Sequence, residues 1–215
     1  MENAVIFEQR NYLSADKRTQ IHAYIWRPEG APLRGIIQIS HGMCEYMMRY
    51  DAWARRFCEI GFVVCGNDHL GHGQNAENAA ELGFIPQTIG ADCLVEDLHT
   101  MSELIKAEYP ELPLVLYGHS MGSFVLRAYL SRYGEALSAA LISGTAGAGQ
   151  PTGVARQLAR TIAAAFTGSL MAGKDCFGSA RLAAGFVEQV AAATEESSPF
   201  GVAFENQLPW LWNQL

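Results

Sequence analysis

The chain has 215 residues, 49% of them hydrophobic and 17% charged; this suits one packed domain, with or without an insertion, and excludes both a stapled mini-fold and a largely disordered chain. Its 22 acidic against 15 basic residues give a net charge of −7, which opposes a nucleic-acid partner held by phosphate neutralisation. The five cysteines, Cys44, Cys58, Cys65, Cys93 and Cys176, are scattered without a C-x-x-C pair, so neither a disulfide framework nor a metal site is expected and a reducing cytoplasm is the compartment they fit.

The N-terminal "MENAVIFEQR" carries Glu2 and lacks the apolar run of a signal peptide. Residues 4–12 and 20–26, joined by the turn-like "SADKR", predict an antiparallel hairpin at a sheet edge. Four apolar runs follow: "GIIQIS" (35–40), "FVVCGN" (62–67), "LVLY" (114–117) and "AALIS" (139–143). Near-continuous hydrophobicity predicts strands covered on both faces. Between them, Tyr46, Tyr50, Trp53, Phe57 and Ile60, then Leu94, Leu98, Met101 and Ile105, and then Val125 and Tyr129 recur at helical spacing. The alternation predicts an α/β class, doubly wound and mostly parallel.

Beyond Ser143 the pattern changes. "GTAGAGQPTG" is a Gly-rich loop, and two amphipathic stretches follow, Val154, Leu158, Ile162 and Phe166, then Ala183, Phe186, Val187 and Val190. The expected organisation is a core over 1–145 and a helical cap over 146–215, packed above the carboxyl ends of the strands. The alternative, ordinary crossover helices, lacks a strand signal after Ser143 to cross to. The longest uncharged stretch, 136–155, is broken by Gly144, Gly147, Gly149 and Pro151, so no transmembrane segment is expected. The apolar cap helices suit an acyl chain and weak contact with a membrane surface.

Residues 118–122, "GHSMG", match G-x-S-x-G between a strand and a helix. That setting places Ser120 on a strained turn as a nucleophile. Gly118 and Gly122 are needed because a Cβ at either would collide across the turn, and the helix N-terminus faces the charge that develops on an attacked carbonyl. The oxyanion hole is expected from the N–H of Met121 and that of Met43, in the loop "HGMCEY" shaped by His41 and Gly42. A third cluster, "NDHLGHGQN" (67–75), has the wrong spacing for a preformed metal site. Asp68 and His72 are expected to hydrogen-bond that loop into shape.

"HGMCEYMMRYDAWARRFCEIGFVVCGNDHLGHGQN" followed by "AEYPELPLVLYGHSMGS" resembles the monoacylglycerol lipase and lysophospholipase branch of the α/β-hydrolases, grouped with the serine aminopeptidase-like enzymes. The resemblance covers most of residues 20–150. It implies a sheet of the α/β-hydrolase type with about six of the usual eight strands, and a serine hydrolase that cleaves carboxylic esters of small lipid-like substrates without metal or cofactor. In its terms Ser120 is the nucleophile, Met43 and Met121 are the oxyanion donors, and the cap shapes an acyl pocket. Tyr46 departs from the family, where His commonly follows the Glu, and so does Ser123, where a third Gly is common.

In this fold the triad runs Ser, then Asp or Glu, then His. All six histidines, His22, His41, His69, His72, His99 and His119, precede Ser120, and Asp175 is the one aspartate after it. The expectation is a chain that stops before its acid and base, inactive or weak alone, with strand 139–143 as an exposed edge open to self-association. An upstream base, His41, His72 or His119, stays open, since triads are recognised by geometry. So do two other functions: a non-catalytic fold binding a small apolar ligand, and a peptidase or thioesterase using the same serine.

Overall fold

The computed structural model describes residues 4–145, apart from 44, 79–80, 84 and 86–89. The expected cap at 146–215, with Asp175 and Cys176, lies outside the described residues, as does Cys44. Six strands form one sheet in the order β1-β2-β4-β3-β5-β6. Strands β1 (Val5–Leu13) and β2 (Gln20–Pro28) make the expected edge hairpin, in register from Val5 opposite Pro28 to Leu13 opposite Gln20. Asp16 closes its turn: the carboxylate accepts the N–H groups of Arg18 and Thr19 at 2.7 and 2.8 Å and the Thr19 hydroxyl at 2.6 Å, a local bond pattern that turns favour.

Strand β2 runs antiparallel to β4 (Phe62–Asn67). From there β4, β3 (Gly35–Ser40), β5 (Leu114–His119) and β6 (Ala139–Ser143) are all parallel. Strand β5 runs two residues past the apolar run "LVLY". Gly118 still pairs with Ser40 and Ile142, and His119 with Ser143, so the ladder continues up to the turn at Ser120 although the hydrophobic signal has ended. Strand β6 is the last in the described sheet and shows Leu141 and Ile142 at 53% and 43% exposure.

Helices cover both faces, as the doubly wound pattern predicts. Helix α1 (Asp51–Glu59) packs Ala54, Cys58, Trp53 and Phe57 on Tyr24, Trp26, Ile37, Ile39 and Val64. Helices α2 (Gly90–Glu108) and α3 (Met121–Tyr133) cover the opposite face, where Ile36, Val63 and Cys65 meet Met101 and Ile105, and Leu116 meets Leu98, Val125 and Tyr129. The neighbours Ile36 and Ile37, or Val63 and Val64, thus go to different cores, as the period of two requires. The helix expected from Tyr46 begins instead as a 3₁₀ turn over Met47–Tyr50. There the Met47 N–H, which has no acceptor within the helix, donates to the Asp68 carboxylate at 2.6 Å.

Two buried polar groups tie layers together. Gln38 donates to the Leu98 carbonyl at 2.8 Å and accepts from the Ser102 hydroxyl at 2.7 Å, so its burial costs little. Asp97, on α2, holds the hairpin by accepting the Ser14 hydroxyl at 2.8 Å and the Ala15 N–H at 2.7 Å. Burial outweighs those bonds and raises its pKa to about 6. A carboxyl whose folded pKa is raised stabilises below its unfolded pKa and loses that contribution as pH rises through about 6. Asp97→Asn keeps one acceptor for Ala15 and removes the buried charge. It should gain about 1 kcal/mol over the parent at pH 8, with the gain vanishing by pH 5. Urea unfolding at the two pH values checks both the sign and the disappearance.

Candidate active site

Ser120 follows the last residue of β5 and precedes the first residue of α3, at φ 51° and ψ −118°. Lys17 in the hairpin turn is the other described non-glycine residue with positive φ. For a residue with a Cβ, such a conformation costs about 1–3 kcal/mol and persists only where the surroundings over-determine it. Here they do. A Cβ on Gly118 would lie 2.6 Å from the Gly122 carbonyl oxygen, and one on Gly122 would run into the carbonyls of Ser40 and His41. On the other side, the Ser120 N–H donates to the Ser143 carbonyl at 2.9 Å. The Ser120 carbonyl accepts the Ser123 N–H at 2.9 Å and its hydroxyl at 2.6 Å. Ser123, where the resemblance favours glycine, therefore fastens the elbow from within α3.

The loop after β3 reaches this turn. A Cβ on Gly42 would stand 3.2 Å from the Ser120 Cβ and 3.0 Å from Glu45 Oε2. The Gly42 N–H donates to that Glu45 oxygen at 2.7 Å, and the Tyr50 hydroxyl donates to it at the same distance. With Gly42 so engaged, the next N–H, that of Met43, is the loop's candidate oxyanion donor. Met121 is the first residue of α3, so its N–H has no acceptor within the helix. Sequence reasoning placed Ser120, Gly118, Gly122, His41, Gly42, Met43 and Met121, and the structure brings these segments together. It missed Glu45 and Ser143, and it singled out Ser123 as a departure from the family's glycine and Tyr50 as a helix position without foreseeing the bonds they make.

Two of the candidate bases, His41 and His72, are engaged elsewhere, whereas Nδ1 of the third, His119, is buried with no hydrogen-bond partner among the described residues. The His69 N–H donates to His41 Nε2 at 3.0 Å, so Nε2 carries the lone pair and Nδ1–H donates to the Gly42 carbonyl at 2.8 Å. His69 Nε2 lies 3.2 Å from both the His41 carbonyl and the Ser40 hydroxyl. His72 Nδ1 bonds the Leu70 carbonyl at 3.0 Å. The rings form a buried cluster, with centroids 4.2 Å apart for His41 and His69 and 5.3 Å for His41 and His72. Burial holds His41 well below its ordinary pKa and brings His69 to about 3 and His72 to about 4. Asp68 faces its own loop. It accepts from Tyr24 Oη at 2.9 Å and from the N–H groups of Met47 and Gln74 at 2.6 and 2.9 Å, and burial raises its pKa.

A family model described as serine aminopeptidase, S33, matches residues 31–193. The chain belongs to that family. Over 122 residues this S33 chain is 34% identical to the monoacylglycerol lipase of Mycolicibacterium smegmatis, covering 57% of this chain and 41% of that protein. Over 101 residues it is 35% identical to the monoglyceride lipase of Rattus norvegicus, covering 46% and 31%. The matched segment thus spans less than half the length of these relatives. A thermostable carboxyl esterase from Bacillus coagulans superposes with a TM-score of 0.67 at 23% identity, over 95% of this chain and 74% of that one, which shows the shared α/β-hydrolase fold. Among the described residues no helix is long and apolar enough to cross a membrane.

Two measurements test this S33 elbow. Removing the Cβ relieves the strain at Ser120, so Ser120→Gly should be more stable than Ser120→Ala by about 1–2 kcal/mol in thermal unfolding, the reverse of the order in a helix interior. The histidine cluster has folded pKa values below the unfolded 6.5, so its members are neutral when folded and take up protons on unfolding. Stability is therefore lost as pH falls below 6.5 toward 4, by roughly 1.4 kcal/mol per pH unit for each histidine. Asp97 opposes this with one proton. A net fall in the urea midpoint between pH 7 and pH 5 is expected.

Proposed function

We propose that Ser120 is the nucleophile of a carboxylic-ester hydrolase acting on lipid-like esters of the monoacylglycerol or lysophospholipid class. The observation that carries this reading is the strained Ser120, wedged between Gly118 and Gly122 and within Cβ reach of Gly42. The names of the relatives support the ester class. In the reaction the Ser120 oxygen adds to the ester carbonyl as its proton passes to a base. The carbonyl oxygen, now negative, rests on the N–H groups of Met43 and Met121. The alcohol leaves with a proton, and water then cleaves the acyl-Ser120 ester to release the fatty acid and restore the hydroxyl.

His41, His69 and His72 are poor candidates for that base, because they are committed to hydrogen bonds and burial makes them weak proton acceptors, and no histidine follows Ser120 in the 215 residues. This chain by itself is therefore expected to turn over weakly, with about 10³- to 10⁴-fold acceleration over water left to the oxyanion hole and binding. The same observation favours the second reading, a non-catalytic fold that binds a small apolar ligand.

A fluorophosphonate separates the two. Slow, stoichiometric labelling at Ser120, located by mass spectrometry and absent from Ser120→Ala, is the expected outcome. An unlabelled but folded chain would leave the ligand-binding reading. A panel of monoacylglycerol, lysophospholipid, thioester and aminoacyl anilide then reports the acyl class.

A further inference from the structure

The loop after β3 contains two consecutive peptide groups whose directions can be read from their bonds. In the first, His41–Gly42, the carbonyl lies 3.2 Å from His69 Nε2 and the N–H donates to Glu45 Oε2 at 2.7 Å. In the second, Gly42–Met43, the carbonyl accepts from His41 Nδ1 at 2.8 Å. No described peptide bond is cis, so C=O and N–H point in opposite directions across each plane. Three of the four polar groups are thus held by side chains, and the fourth is the Met43 N–H, the candidate oxyanion donor. Its aim follows from the other three.

Taking Ser120 as the nucleophile, as proposed above, we propose that Glu45 is the positioning residue of the oxyanion loop. Its carboxylate reaches back three residues to Gly42 and is itself held by the Tyr50 hydroxyl at 2.7 Å, with Arg49 Nη1 3.5 Å from the other oxygen. The side chain is 12% exposed, and burial, then the bond to Glu45, raises the Tyr50 pKa, so the phenol stays a donor. The same oxygen lies 3.0 Å from the place a Gly42 Cβ would take, and that place is 3.2 Å from the Ser120 Cβ. Glu45 therefore backs the residue that touches the nucleophile. Its negative charge would oppose an oxyanion, so its contribution is geometric: it fixes one peptide so that the next one presents its N–H. Preorganised donors are effective because they need no rearrangement when charge develops.

The variants Glu45→Ala and Glu45→Gln separate position from charge, since glutamine keeps an acceptor oxygen for Gly42 and Tyr50. With melting temperature confirming folding, Glu45→Ala should slow fluorophosphonate labelling of Ser120 at least tenfold, while Glu45→Gln stays within about threefold of the parent. Labelling of Glu45→Ala at the parent rate overturns the proposal, as does a Glu45→Gln loss equal to that of Glu45→Ala. Amide hydrogen exchange gives a readout independent of Ser120 reactivity. The Gly42 amide should be protected in the parent and in Glu45→Gln and exchange at least tenfold faster in Glu45→Ala. Unchanged Gly42 exchange in Glu45→Ala refutes the role of Glu45 even if Ser120 takes no probe, and a parent that takes no probe refutes the hydrolase reading separately.

Discussion

The close approach of α3 to the end of β3 is the constraint on which the rest depends. Gly122 sits against the carbonyls of Ser40 and His41 with no room for a Cβ, so the helix that follows Ser120 begins as near to the neighbouring strand as a backbone allows. That contact sets the sharpness of the turn, and the turn forces Ser120 into positive φ. It also presses the loop carrying Gly42 against the nucleophile. A packed sheet supplies the stiffness: β3 is buried along its whole length, paired on both sides, and covered on both faces. Local strain of a few kcal/mol survives because so many surrounding contacts would have to yield to relieve it.

The polar groups around the elbow follow a second rule, that buried donors and acceptors must be paired. His41, His69 and Glu45 take the backbone groups of the loop after β3, and Asp68 and Asn75 take those of the loop after β4. Such pairing makes these loops rigid. It also ties His41, His69 and His72 to the backbone: His41 Nε2 must keep its lone pair to accept the His69 backbone N–H, and burial lowers the pKa of all three. These three histidines are thus scaffold for the loops beside Ser120.

Much of this was legible beforehand. The strands at 35–40, 62–67 and 139–143 lie where the apolar runs place them; the first two are buried almost throughout, as such a run implies, while 139–143 is largely exposed in the described sheet. G-x-S-x-G was readable because its glycines answer a steric demand local to five residues. What was not legible depends on distant partners. The N–H of Met47, which opens the first helix, is capped by Asp68, 21 residues on. Glu45 looked like an ordinary polar residue and Ser123 only like a departure from the family's glycine, since what they hold becomes visible only when the backbone is placed.

The sequence by itself determined the sheet, its alternation with helices and the strained turn at Ser120, because hydrophobic periodicity and glycine sterics act over a few residues. Tertiary structure alone decided which histidines are committed, that the Gly42 N–H is taken by Glu45, and how Ser123 and Ser143 hold the turn at Ser120. Those outcomes rest on hydrogen bonds between chain segments whose approach no local pattern encodes.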